Sequence, residues 1–261
     1  MNTQIFKELI PGKLTMVYRA FNDSHLIIPI FNYLAKVNIF PLLALDDRSH
    51  ADELLKYRAS NINFVLVNYP KRYAESGLKN ISEIIDTPFY LLLDSDEIII
   101  DFDLNEIERI VNGNTFHVVG LRRIWLYDFS STLRRFKFSR SRLLGDDIQY
   151  RLIRKSEIDF HTDLMVHSSG FDWNDPDSTT IMENNQILHL DWIVNSPEER
   201  IKKLVKYSEF DKSYLLKFLY IYVPEVGMHT HNFRSKALNL EIKKLIKSLK
   251  NQSKQNQSWW D

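Results

Sequence analysis

The stretch Phe89-Tyr90-Leu91-Leu92-Leu93-Asp94-Ser95-Asp96-Glu97 runs an apolar pentapeptide directly into three carboxylates. Branched and aromatic side chains in so short a run read as a buried strand, and the acidic residues are delivered at its carboxyl end. Asp94 and Asp96, one residue apart, can offer hard oxygen ligands to a divalent ion such as Mn2+ or Mg2+, which also bridges nucleotide phosphates. An Asp-x-Asp triplet alone is common in solvated turns. Its position after a core strand makes it a candidate site.

Three further apolar runs precede it, at 14–18, 41–45 and 63–67, each ending in polar or turn-forming residues, with helical stretches at 24–37, 52–59 and 75–85 between them. This alternation predicts βα units feeding a mostly parallel central sheet flanked by helices, an α/β fold. In such sheets ligands gather beyond the carboxyl ends of the strands. That rule singles out Arg19 to Asp23, Asp46 to Ser49, Asn68 to Arg72 and Asp94 to Glu97. After Asp101 the alternation fades into a mixed half, with a helix near 104–111 and strand-like runs at 115–125 and 150–154. An apolar stripe through Ile201, Leu204 and Val205 predicts a helix from 197 to about 219, and a last helix is expected at 235–249. The division expected is a single domain over 1–250, comprising a ligand-binding half 1–101, an acceptor half 102–233 and a terminal helix 234–250, then a loose polar tail 251–261.

Composition bounds the function classes. Apolar residues make up 44% of the 261 residues and aromatics 13%, enough to close a sizeable core. Basic and acidic residues balance at 34 each, so no global field draws the chain to nucleic acid. The absence of cysteine removes disulfides and thiol chemistry and suits a reducing, cytoplasmic setting. Residues 1–14 carry no signal-peptide-like apolar stretch, and the most apolar later window, 214–223, is interrupted by Lys217, so no membrane span is expected. The basic, amphipathic last helix, with Lys236, Lys243, Lys244, Lys247 and Lys250, is compatible with peripheral contact to the inner face of an anionic membrane.

Several motifs in order resemble the family 2 glycosyltransferases of the GT-A fold, bacterial members in particular. Leu42-Leu43-Ala44-Leu45-Asp46-Asp47-Arg48-Ser49 is similar to the family's strand and Asp-Asp segment, which contacts the nucleotide base; Arg48 departs from the glycine usual there. Gly77-Leu78-Lys79-Asn80 resembles the helix start whose basic side chain approaches the diphosphate, and Asp94-Ser95-Asp96-Glu97 completes the series. The resemblance implies a nucleotide-sugar site, with a UDP-sugar expected, built from Tyr18, Arg19, Asp46, Asp47, Lys79, Asn80, Asp94 and Ser95. It implies a metal held by Asp94, Asp96 and His189, the last in the run Ile187-Leu188-His189-Leu190-Asp191-Trp192; His167 is the substitute, and a satisfied core histidine is the alternative. Solvated or helix-capping roles stay open for Asp46, Asp47 and Lys79.

Farther on, Tyr150-Arg151-Leu152-Ile153-Arg154 followed by Val166-His167 is similar to an Arg-rich strand and Val-His pair of the same subgroup, with Ser168 where the family has Glu. Asp163 is the candidate general base, with Asp172 and Asp191 as other carboxylates. The activity implied is inverting transfer to a glycan or lipid-linked glycan acceptor in cell-surface polysaccharide or lipopolysaccharide synthesis. Trp125, Trp173 and Trp192 can serve a sugar ring or packing. A metal-dependent nucleotidyltransferase is the rival, although residues 18–25 lack a glycine-rich basic loop for a triphosphate; a hydrolase built on the scattered histidines and a non-catalytic nucleotide-sugar-binding protein are the others.

Overall fold

A computed structural model describes residues 7–71, 74–129, 132–136, 147–161, 169–173, 175–209, 230–232 and 239–253. The expected βα units are present. Strands β1 (Leu14–Ala20), β2 (Leu42–Asp46), β3 (Phe64–Val67) and β4 (Phe89–Asp94) are parallel, in the order β3-β2-β1-β4. Helices α1 (Ser24–Lys36), α2 (Ala51–Ala59) and α3 (Leu78–Ile84) connect them, α3 being preceded by a short 3-10 turn over Ala74–Gly77. Every residue of β1 and β2 is buried, which is why these strands read as mostly apolar runs, with Thr15, Arg19 and Asp46 as the polar members. Helix α1 turns Leu26, Ile27, Ile30, Phe31 and Leu34 inward against them.

The chain winds from β1 outward to β3, then crosses back to lay β4 on the other side of β1. This reversal makes a switch point between β1 and β4, where diverging connections leave a crevice. Arg19 and Asp94 are register partners at its rim.

From Asp94 the chain turns through Ser95 and Asp96 into β5 (Glu97–Ile100), followed by α4 (Leu104–Gly113), β6 (Val118–Phe129), β7 (Thr132–Phe136), β8 (Ile148–Arg154), β9 (Ile158–Phe160), β10 (Phe171–Trp173), β11 (Thr179–His189), α5 (Asp191–Val194), α6 (Pro197–Ser208), β12 (Thr230–Asn232) and α7 (Leu240–Ser253). Among the described residues one ten-stranded sheet spans both halves, continuing β4-β8-β6-β7-β12, with β11 paired to β6 and β5. Strands β5, β7 and β8 run against the others, so the second half is mixed as expected.

Several boundaries differ from the sequence reading by a few residues, those of the last two helices among them. Helix α7 continues to Ser253, past the point where a loose tail was expected, because Ile242, Leu245, Ile246 and Leu249 anchor it in the core. Helix α6 ends at Ser208; its expected extension to 219 falls among residues outside those described. Among the described residues, no helix is long and apolar enough to cross a membrane.

Strand β11 positions a site residue through an irregularity. Its register against β6 shifts between Ile181 and Gln186, and beyond the shift His189 lies opposite Trp125 on β6 and Glu97 on β5. The backbone N–H groups freed there are capped by the Glu106 carboxylate from α4, which accepts from Glu183 at 2.8 Å, Asn184 at 3.2 Å and the Asn185 side chain at 2.8 Å. Buried Asn185 also exchanges hydrogen bonds with the backbone of Asp103, at 3.0 and 3.2 Å. Because side chains alternate faces, a one-residue slip of β11 would turn His189 away. Glu106→Ala leaves these donors unpaired and is expected to cost about 3 kcal/mol in urea unfolding. An unchanged midpoint would show that water or the backbone replaces the cap.

Candidate functional site

The acidic turn sits where β4 ends, and its three carboxylates occupy three different environments. Asp94 lies between two guanidiniums: Arg19 on β1 donates from Nε to Oδ1, and Arg151 on β8 donates from Nη2 to Oδ2 at 2.7 Å. Burial would raise its pKa, but the charges of Arg151 and Arg19 prevail and hold it well below the usual carboxylate range. Glu97 is fully buried; it accepts from Arg151 Nη2 at 2.6 Å and Arg123 Nη1 at 3.4 Å, and its other oxygen accepts from the Asp94 backbone N–H at 3.1 Å. Arg123 continues to Asp147 at 2.8 Å, whose carboxylate also accepts from Trp125 Nε1 and from Gln149 at 2.7 Å.

Among the described residues no arginine or lysine stands within ion-pair distance of Asp96. Its Oδ2 lies 3.4 Å from His189 Nε2, with the two side chains 15% and 8% exposed. Burial raises the Asp96 pKa to about 6, reinforced by Asp191 and Asp94 and opposed by Lys203 and Arg123. Burial also lowers His189 to about 3, with Arg123 acting in the same sense. At neutral pH the pair is a carboxylate and a neutral imidazole, both with lone pairs for a cation. The imidazole is held edge-on to Trp125, ring centres 4.1 Å apart, and Trp125 packs against Trp192 at 4.9 Å. The Leu190 N–H donates to the Asp96 carbonyl at 2.9 Å, tying the end of β11 to the acidic turn.

Among the described residues no group of three histidines and carboxylates is gathered for a metal. Asp96 and His189 fit a cation as two ligands whose other positions are left for phosphate oxygens or water. Asp94, expected to be a third ligand, has both oxygens committed to arginine.

Other expected residues divide. Asp46 is buried and taken by Arg48, whose Nε donates to Oδ1 at 2.8 Å and whose Nη2 donates to Oδ2. Asp47 is exposed and accepts from Asn68 at 3.1 Å. Lys79 lies on a solvated face, 68% exposed and 4.0 Å from Glu83. Asn80 donates to the Asn68 carbonyl at 2.7 Å and so anchors the loop after β3. Ser95 donates its hydroxyl to Asp23. Tyr18 corrects its expected place at the ligand: it is buried in the core with its ring edge-on to Phe31 at 5.5 Å, and it donates its hydroxyl to the Glu97 carbonyl at 3.1 Å. Asp191 is buried and paired with Lys203 at 2.8 Å, while Asp172 meets His161 at 2.6 Å on the separate β9-β10 hairpin. Asp163, His167 and Ser168 lie outside the described residues.

Two participants were given no role by the sequence reading, and a third, Asp23, was marked only as part of a strand-end range. Arg151 and Arg123 arrive through antiparallel pairing of β8 and β6, which no local pattern announces; the arginines of β8 were the only signal. Asp23, buried beside Ser95, is pushed well above the usual carboxylate range by burial, with Asp96 and Glu53 adding to the rise.

No family model and no curated protein matches the chain. Solved structures similar to it include Staphylococcus aureus TarS 1-349, at 14% identity and TM-score 0.43, covering 93% of this chain and 80% of that one. Glucosyl-3-phosphoglycerate synthase from Mycobacterium tuberculosis, in complex with Mn2+, uridine-diphosphate and glucosyl-3-phosphoglycerate, is 13% identical with TM-score 0.34 and covers 44% of each chain. CMP:2-keto-3-deoxy-manno-octonic acid synthetase complexed with CTP is 10% identical with TM-score 0.37, covering 55% of this chain and 75% of that one.

The raised Asp96 carries a stability consequence. Its pKa in the folded chain exceeds that of the unfolded chain, so its favourable contribution is full below the usual 3.8 and is lost as pH rises through about 6. Asp96→Asn removes that loss. Without metal, the variant is expected to be more stable than the parent at pH 8, by up to about 3 kcal/mol, with the gain gone at pH 4. Urea unfolding at both pH values in chelator checks this, and a difference independent of pH would contradict it.

Proposed function

We propose that the chain is a GT-A-type glycosyltransferase of the family 2 kind. It would move a sugar from a nucleoside-diphosphate donor to a glycan or lipid-linked glycan acceptor, with inversion, in cell-surface polysaccharide or lipopolysaccharide synthesis. The observation that carries this reading is the Asp96–His189 pair, 3.4 Å apart at the strand ends of an α/β sheet and beside its switch point. Asp96 and His189 would hold Mn2+ or Mg2+, which when bound would neutralise charge on the departing diphosphate. Arg19 and Arg151, fixed by Asp94, keep two guanidiniums at the same rim, a group suited to phosphate oxygens.

In this reading Asp94 positions arginines rather than binding the cation, and Glu97 holds the turn. Asp163 is assigned as the base that takes the proton of the acceptor hydroxyl. The protein would work in the cytoplasm at the inner membrane face. Since the apolar side of α7 is packed on the core, exposed Lys243, Lys244 and Lys247 would make that contact by charge alone.

Calorimetric titration with nucleoside diphosphates, with Mn2+ and then with chelator, tests the donor site without knowledge of the acceptor. Metal-dependent binding is expected, weakened at least about tenfold in Asp96→Asn and in His189→Ala. Binding of no nucleotide would sink the transferase reading, and near-normal metal-dependent binding by a folded Asp96→Asn would remove Asp96 from the ion site. Asp163→Asn should bind donor as the parent does while transferring sugar at least about a hundredfold more slowly; undiminished transfer would exclude it as the base.

A further inference from the structure

Arg48 stands at the end of β2, where the family has glycine, and its guanidinium is fixed rather than free. Nε and Nη2 each donate to Asp46, whose side chain is only 4% exposed, and the Arg48 backbone N–H donates to the same carboxylate at 2.9 Å. The guanidinium carbon lies 5.8 Å from the ring centre of half-buried Phe21, on the loop after β1. A hydrogen bond of 2.8 Å from the His50 N–H to the Asn22 side chain ties the two loops together. Asp46 therefore has no oxygen left uncommitted, and what this strand end offers a ligand is the outer edge of an arginine beside an aromatic face.

Strand spacing locates that edge. One strand, β1, separates β2 from β4, so Arg48 lies roughly 10 Å along the sheet from the acidic turn. That is about the reach from a diphosphate to its base. Guanidinium and aromatic faces are surfaces on which nucleobases stack.

Resting on the nucleoside-diphosphate reading, we infer that Arg48 selects the donor's base, and that the base is guanine or cytosine rather than the uracil the family resemblance implies. With Nε and one Nη2 proton spent on Asp46, Arg48 keeps an end-on edge of parallel N–H donors from Nη1 and Nη2. Guanine presents the adjacent acceptors O6 and N7 to such a fork, and cytosine presents O2 and N3. Uracil sets an N3–H donor between its carbonyls, and adenine sets its amino donor beside a ring acceptor. In either case one donor would face another. Asp46, which as a free carboxylate would accept from uracil N3–H, is unavailable while Arg48 holds it.

The test is calorimetric titration of the parent, Arg48→Gly and Arg48→Lys with GDP, CDP, UDP and ADP in Mn2+. The parent should bind GDP or CDP at least about tenfold tighter than UDP and ADP. Arg48→Gly should lose that preference and gain affinity for UDP as Asp46 is freed; Arg48→Lys, which keeps the charge without the fork, should also lose the preference. UDP as the tightest ligand of the parent would overturn the inference. So would uniform weakening of all four by Arg48→Gly with the ranking kept, which would make Arg48 a phosphate contact. Both outcomes leave the transferase reading standing, whereas no binding of any nucleotide by the parent overturns that reading and this inference with it.

Discussion

A single nitrogen, Arg151 Nη2, holds the end of β4 to the start of β5 by donating to both Asp94 at 2.7 Å and Glu97 at 2.6 Å. Everything at the site depends on that bridge. Glu97 is fully buried, and an isolated carboxylate there would cost several kcal/mol of desolvation; it is tolerated because Arg151 and Arg123 both reach it. With Asp94 and Glu97 tied to β8, the two residues between them form a tight turn, and Asp96 is held toward His189. The hydroxyl of Tyr18 on the Glu97 carbonyl fixes the same turn from the core side.

The second half of the site is set by register rather than by charge. His189 lies on a strand that must align with β6 on one side and β5 on the other, and its irregularity between Ile181 and Gln186 absorbs the mismatch. Glu106, far along the chain, accepts from the backbone that this irregularity exposes, and Asn185 ties the irregularity to Glu106 and to the backbone of Asp103. The imidazole then meets Asp96 from a different strand, and burial keeps it neutral. For the cation site proposed above, a pair assembled in this way would be preorganised.

How much of this was legible in the sequence follows from the range of the interactions. The four parallel strands and their helices show themselves through local apolar runs, because burial on both faces leaves β1 and β2 mostly apolar, with Thr15, Arg19 and Asp46 the polar exceptions. Asp96 drew notice because it follows an apolar strand, and His189 because it ends one within a run that resembles the family's. The roles of Arg151 and Arg123 were not legible, since antiparallel pairing joins residues far apart in sequence. For Lys79 the sequence left a ligand contact and a solvated face open, and the helix places it on an exposed face beside Glu83. Arg48 was visible as a departure from the family pattern, but its consequence was not, because the sequence does not say that it folds back on Asp46.

Asp46, Asp94 and Asp96 are the same residue type at the ends of core strands, and neighbouring arginines decide what each can do. Where a guanidinium reaches the carboxylate, as Arg48 reaches Asp46 and Arg19 and Arg151 reach Asp94, the acid becomes the anchor that fixes the arginine. Where none of the described residues brings one, as at Asp96, burial works against the charge and leaves a carboxylate whose ionised form gains most from a cation. The crevice is thus partitioned between arginine edges that suit anionic or acceptor-rich groups and one carboxylate–imidazole pair that suits a metal. A metal-bound nucleoside diphosphate presents that same sequence of groups, from its base through its phosphates to the ion.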